Sequence, residues 1–254
     1  LGVMSEQGLD TEKKEDDGLR RMTQEQLDEI VELHKRFMEG RAGGRRAIVR
    51  RMDLSSLTLR NQDLRQSDFT GCLMRMMDLT GTNFREATLY ACDLTDSNLN
   101  DAIFVRADLR GTRIESADLS GADLNSADLR SGGFSMSGDF TEDTIQNVNF
   151  RGANLAGAKL GGTLASKADF SDAIMSKVDM SGADLRGAQF EGADLTEAEI
   201  KGAQLVGANM RSTILTGVSL EEIRDSEVDI SDSITDENVG KSIEELDQPL
   251  ARLI

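Results

Sequence analysis

The chain predicts a repeat architecture rather than a domain with one broad core, on three observations. A large apolar residue recurs at a strict five-residue interval from Leu54 to Phe134 and again from Phe140 to Leu220. That gives 34 pentapeptides, of which 33 are centred on Leu, Phe, Ile or Met, so the interval is no accident of composition. Two residues before the centre the chain is small (Ala, Ser, Thr, Cys or Gly) in 26 of the 34, which makes the centre part of a fixed motif. The residue between them is Asp or Asn 19 times, as in Gly182-Ala183-Asp184-Leu185 and Gly192-Ala193-Asp194-Leu195. A period of five matches neither a helix nor a flat strand and leaves a fold whose units pack on their neighbours.

On these motifs the chain resembles the pentapeptide-repeat family over roughly residues 52–220. The resemblance implies an all-β solenoid: a right-handed quadrilateral parallel β-helix, with four pentapeptides to each 20-residue coil. It also implies that the centre and the small residue point inward while the other three positions face solvent. Stacking is physically required, because no single pentapeptide buries its apolar residue alone. Residues 20 apart should then lie about one strand spacing, ~4.8 Å, above one another. Phe150, Phe170 and Phe190, followed by Met210, should form a stacked core ladder. Small residues fit because a narrow tube has no room for a large side chain at every inward position.

Taken in chain order, residues 1–21 are acidic and polar and read as a disordered tail. Residues 22–40 read as a helix. Thr23 and Gln26 form a capping box, and Leu27, Ile30, Val31, His34, Phe37 and Met38 share one apolar side. Gly40, with Gly43 and Gly44 beyond it, ends the helix. A coil stack has an open end with unpaired strand edges, so this helix, through Leu27, Ile30, Val31 and Phe37, is the expected N-terminal cap. The leader at 41–51 carries Arg41, Arg45, Arg46, Arg50 and Arg51 and no acid. Pairing with the acidic helix and rod is preferred to a nucleic-acid patch, because the whole chain carries a formal charge of −17.

Two irregularities interrupt the repeat. The step from Phe134 to Phe140 is six residues, flanked by Gly132, Gly133 and Gly138, and reads as a one-residue bulge near 132–139. At Ala165 the centre is small and Leu164 stands beside it, so the core is thin there or the register slips. After Leu220 the pattern stops. Residues 221–254 hold 11 acids against 3 bases, and Ile243, Leu246, Leu250 and Leu253 mark an amphipathic end that Pro249 limits. That end is a lid, a homodimer contact, as the resemblance also implies, or a docking peptide.

Little chemistry is on offer. The single His, His34, lies on the apolar side of the helix and reads as structural. No catalytic, cofactor or metal-binding motif is present, and the repeated Asp residues read as satisfying turns or facing water. Cys72 and Cys92 are 20 apart at small inward positions. They read as buried small hydrophobes, with a redox pair and a metal pair as the other readings. No 18-residue apolar run and no signal-like segment occurs, which favours the cytoplasm, and the resemblance suggests a bacterial protein.

The expected function is therefore a non-catalytic rigid scaffold for an unknown protein partner. The resemblance also raises a DNA mimic that binds gyrase, and a filament-forming component is a third reading. Charge weighs against mimicry. Residues 52–220 carry 24 acids and 15 bases, whereas duplex DNA of the same ~41 Å length carries about 24 negative charges.

Overall fold

The computed structural model describes residues 19–133, 145–224 and 227–236. Their elements are β1 (Arg20–Arg21), α1 (Gln24–Met38), β2 (Met52–Asp53), β3 (Gly132–Gly133), β4 (Ile145–Gln146) and α2 (Glu221–Arg224). Most of the order lies outside these elements, in single parallel bridges between residues 20 apart, such as Asp53↔Leu73, Thr58↔Asp78, Asp63↔Asn83 and Asp68↔Thr88. Four bridged columns per coil result, centred on Leu54, Leu59, Leu64 and Phe69.

The pentapeptide explains each bridge. The centre donates its N–H to a carbonyl 19 residues on (Phe150 to Asp169, 2.7 Å), and that residue's N–H returns to the small position (Asp169 to Val148, 2.9 Å). A β-turn follows, closed by the next small residue's N–H to the centre's carbonyl, as from Leu57 to Leu54 at 3.1 Å. Its third residue has positive φ, as at Gly71 (+67°) and Gly81 (+63°). Where that residue is not glycine the backbone is strained. Met76 is such a case, at φ +54° with its side chain 60% exposed. Met76→Gly should raise stability by about 0.5–1 kcal/mol, the left-handed penalty outweighing glycine's extra unfolded-state entropy. A urea midpoint equal to or below that of the parent would contradict this.

Centres and small residues form one continuous buried core. In the first column Phe150 and Phe170 stack at 5.0 Å between ring centroids with 9° between planes, and Phe170 and Phe190 at 5.1 Å and 8°. Met210 continues the column, fully buried. A second aromatic pair, Phe84 and Phe104, stacks at 5.3 Å in the third column. Ala165 keeps the register, its N–H bonded to the Asp184 carbonyl at 2.8 Å, while Leu164 is 40% exposed. The core is thin there and no slip occurs.

Four expectations change. The 132–139 irregularity is not a one-residue bulge. The bridge step lengthens from 20 residues (Asp93↔Arg113) to 36 (Arg113↔Asn149), 16 more than one coil holds. β3 and β4 pair antiparallel at the base of this excursion. Ile145, counted as a centre, is 55% exposed on β4; Phe134 and Phe140 lie outside the described residues. Five-residue spacing alone cannot tell a coil from a hairpin that happens to match it; the ladder hydrogen bonds, resumed at Asn149, decide. Second, coiling starts before residue 52. Ala47 and Val49 are buried, and the Val49 N–H bonds the Asp68 carbonyl at 2.7 Å. Third, coiling resumes after residue 220. α2 turns Ile223 inward, and the bridges Asn209↔Asp229 and Ile214↔Ile234 add further rungs. Fourth, Arg20 and Arg21 form a strand. The rest of the expected disordered tail, residues 1–18, lies outside the described residues.

Candidate interaction surface

Three of the four columns at the N-terminal edge of the stack are closed by separate groups. β1 pairs in parallel with β2, and the Met22 N–H extends the ladder to the Asp53 carbonyl at 2.9 Å. Thr23 then caps α1 with the expected capping box. The Gln24 side chain stands in for a missing strand in the second column. Its Nε2 donates to the Thr58 carbonyl at 3.0 Å, and the Thr58 N–H donates to its Oε1 at 2.9 Å. In the fourth column the Ala47 N–H donates to His34 Nδ1 at 3.0 Å. Leu27 and His34 are fully buried, and Ile30 and Val31 pack against the core from partly buried positions. Phe37 departs from its expected cap role: it is 40% exposed and covers His34 by ring stacking at 5.9 Å. It sits about one turn beyond His34 in α1, where Gly44 passes so close to the helix that a Cβ would lie 2.3 Å from the Phe37 nitrogen.

Along the outer surface most bases pair with acids of the repeat, which still leaves an excess of acids over residues 52–220. The Asp or Asn before the centre accepts from the backbone N–H two residues on, as Asp68 does from Thr70 and Asp93 from Thr95, both at 3.1 Å. An Arg at that later position folds back as a two-pronged partner: Arg65 on Asp63, Arg110 on Asp108, Arg130 on Asp128 and Arg186 on Asp184. Burial pushes the Asp68 carboxyl up, but bonds from Arg50 and from the Thr70 hydroxyl and N–H outweigh it and hold the group below its ordinary value. Arg46 approaches the same carboxylate at 3.9 Å, and Arg41 pairs with Glu39 at 2.8 Å. The leader arginines Arg41, Arg46 and Arg50 are thus spent on acids. Eleven of the fifteen bases between residues 52 and 220 are ion-paired.

The excursion interrupts this regular surface. Tyr90, the only Tyr in the chain, clamps its base. The hydroxyl donates to the Gly133 carbonyl at 2.6 Å and accepts from the Gly133 N–H at 2.9 Å. Arg110 lies over the ring at 5.2 Å from its centroid. The Gln146 amide donates to the Gly111 carbonyl at 2.7 Å. Gly132 is required here, because a Cβ would come within 2.9 Å of both the Tyr90 ring and the Arg110 carbonyl. Nothing in the local pattern marks Tyr90 for this task; its being the only tyrosine was the one available signal. Ile174, Ile214 and Ile234 share a column interrupted by Asp194, and Ile174 and Ile234 are the more exposed.

Cys72 and Cys92 are free and buried. Each thiol donates to a backbone carbonyl, Cys72 to Val49 at 3.3 Å and Cys92 to Phe69 at 2.9 Å. Burial pushes the Cys72 thiol up to about 11 and Cys92 further in the same direction, which leaves little thiolate for redox or metal chemistry. Among the described residues no cluster of His, Cys, Asp or Glu is arranged to hold a metal, and no helix is long and apolar enough to cross a membrane. Ile243, Leu246, Leu250 and Leu253 lie outside the described residues.

A stack of five-residue units with inward Leu or Phe and turn-capping Asx defines a repeat protein whose coils support one another. The family of pentapeptide repeats matches residues 53–89, 63–101, 92–130, 149–187 and 173–211, in 8 copies. Together these spans take in more than half of the chain, which belongs to that family. The unmatched gap from 131 to 148 coincides with the excursion. No curated protein sequence matches the chain. Among solved structures it is similar to HetL, a pentapeptide repeat protein involved in heterocyst differentiation regulation from the cyanobacterium Nostoc sp. strain PCC 7120. Identity is 24%, coverage 80% of this chain and 91% of that one, and the TM-score 0.48. It is also similar to QnrB1, a plasmid-mediated fluoroquinolone resistance protein, at 20% identity over 75% and 90% of the two chains with a TM-score of 0.32. A pentapeptide repeat protein from the cyanobacterium Cyanothece 51142 shares 30% identity over 52% and 88%, with a TM-score of 0.26.

Proposed function

We propose that this chain is a non-catalytic, rigid scaffold for protein–protein interaction, built as a right-handed four-sided β-helix, with recognition centred on the base of the excursion. One observation carries the reading. The sequence inserts sixteen residues between two rungs that could have followed directly, and the base of this insertion is fastened by Tyr90, Gly111 and Gln146. Fastening this base costs conformational entropy, and the stack gains no rung from it. Binding residues commonly sit where a rigid scaffold positions a connecting segment. A DNA mimic that binds gyrase is the weaker reading, because paired arginines break up the single-sign field that mimicry needs.

Deleting residues 131–146 tests the proposal. The junction Leu129-Arg130-Asn147-Val148-Asn149-Phe150 restores the pentapeptide, with Asn, which tolerates positive φ, at the turn position. The shortened chain should keep its circular-dichroism spectrum and melt within a few degrees of the parent. It should lose whatever protein the full chain captures from its source lysate. A folded deletion variant that still captures the same partner would place recognition elsewhere. Capture of a topoisomerase that raised salt abolishes would favour mimicry.

A further inference from the structure

We propose that His34 is an acid-sensitive latch whose protonation unfastens α1 from the first coil while the coil stack stays folded. The ring is fully buried, and its Nδ1 accepts the Ala47 N–H at 3.0 Å. That nitrogen therefore carries no proton, and the neutral ring keeps its hydrogen on Nε2, which the Arg65 carbonyl approaches without full hydrogen-bond geometry. A second proton would have to occupy Nδ1, turning the one acceptor that holds Ala47 into a donor pointing at a donor. An unmade buried hydrogen bond and an added buried charge both oppose the closed form.

The surroundings do not rescue the charge. Burial is the strongest influence and pushes the ring's pKa below its ordinary value; Arg46 and Arg65 push the same way. The Arg65 carbonyl and the Asp63 carboxylate oppose them. Asp63, however, is already held by Arg65 through two bonds, at 2.8 and 2.7 Å. From its own helix His34 meets the uncharged Phe37 ring. The sign follows from linkage. A ring released to solvent titrates near 6.5 while the latched ring resists protonation, so the open form binds more protons and gains ground as pH falls below that value. Asp63 and Glu39 are held below the ordinary carboxylate range and stay ionised at pH 5.5.

Opening would free the C-terminal half of α1, the Arg45–Leu33 backbone bond and Ala47, and bare a strand edge at one end of the stack. Because the chain has one His, its ring proton can be followed by NMR in the full-length protein beside amide hydrogen exchange. From pH 7.5 to 5.5 the opening equilibrium of Ala47 and of α1 amides after His34 should rise about tenfold, after correction for intrinsic exchange. Amides of the coil from 90 to 129 should not change. His34→Asn keeps an acceptor near the Nδ1 position without titrating and should abolish the response. Unchanged α1 protection between the two pH values, or an equal tenfold response in H34N, overturns the proposal. So does a ring that titrates above 6.5 while α1 stays protected, a result that needs no variant to fold.

Discussion

Phe170→Ala is expected to cost about 3–5 kcal/mol of unfolding free energy, at the upper end for a core truncation. Phe170 is fully buried and stacked on both sides, 5.0 Å from Phe150 and 5.1 Å from Phe190. Truncation removes two near-parallel ring contacts together with the transfer free energy of the ring. Collapse cannot close the space, because the backbone on either side is held in the ladder by the bonds from Phe150 to Asp169 and from Phe170 to Gln189, both 2.7 Å. Each coil touches only its neighbours, so the defect should weaken the middle of the second half of the stack first. A denaturant melt showing a loss under 1 kcal/mol would mean that the column does not bear on stability. Phe170→Leu, which preserves an ordinary centre, should recover most of the loss.

Leu27→Ala should cost about 2–5 kcal/mol, with a consequence that the core variant lacks. Leu27 is the fully buried apolar anchor of α1 on the coil stack, between the Gln24 bonds to Thr58 and the His34 bond to Ala47. Without it the helix loses its apolar attachment while the polar surrogates remain, and the first coil's strand edge becomes accessible. Exposed parallel edges template association. Light scattering should therefore show concentration-dependent growth in mass for Leu27→Ala at temperatures where Phe170→Ala stays unassociated. A destabilised but strictly unassociated Leu27→Ala protein would deny α1 its role as an edge guard.

The repeat was legible because it is enforced locally. Each unit must supply an inward centre, a small neighbour and an Asx side chain that bonds its own turn, so each carries the requirement in its own five residues. The capping box at Thr23 and Gln26 was legible for the same reason, since both partners lie within one turn. What escaped is long-range. Gln24 serving Thr58, 34 residues away, and Tyr90 serving Gly133, 43 residues away, leave no mark in a local pattern. Ile145 misled because it matches the five-residue spacing yet lies exposed on β4, outside the parallel ladder. Coiling beyond Leu220 was missed because Asp225 and Thr235 stand where large apolar centres would, with only Ile230 between them, although 20-residue bridge steps continue to Asp229 and Ile234.

From its sequence alone this protein was determined to be a stack of pentapeptide coils with a helix before it, acidic overall and without a motif for chemistry. Only the tertiary structure decided where the stack is interrupted, how its N-terminal edge is closed, and that most of its arginines are spent on its own aspartates. The physical reason is one of range. Burial of a centre and capping of a turn are decided within a few residues. The partner of a strand edge, a phenol or a guanidinium is chosen by whichever coil lies alongside, and that is known only once the stack has formed.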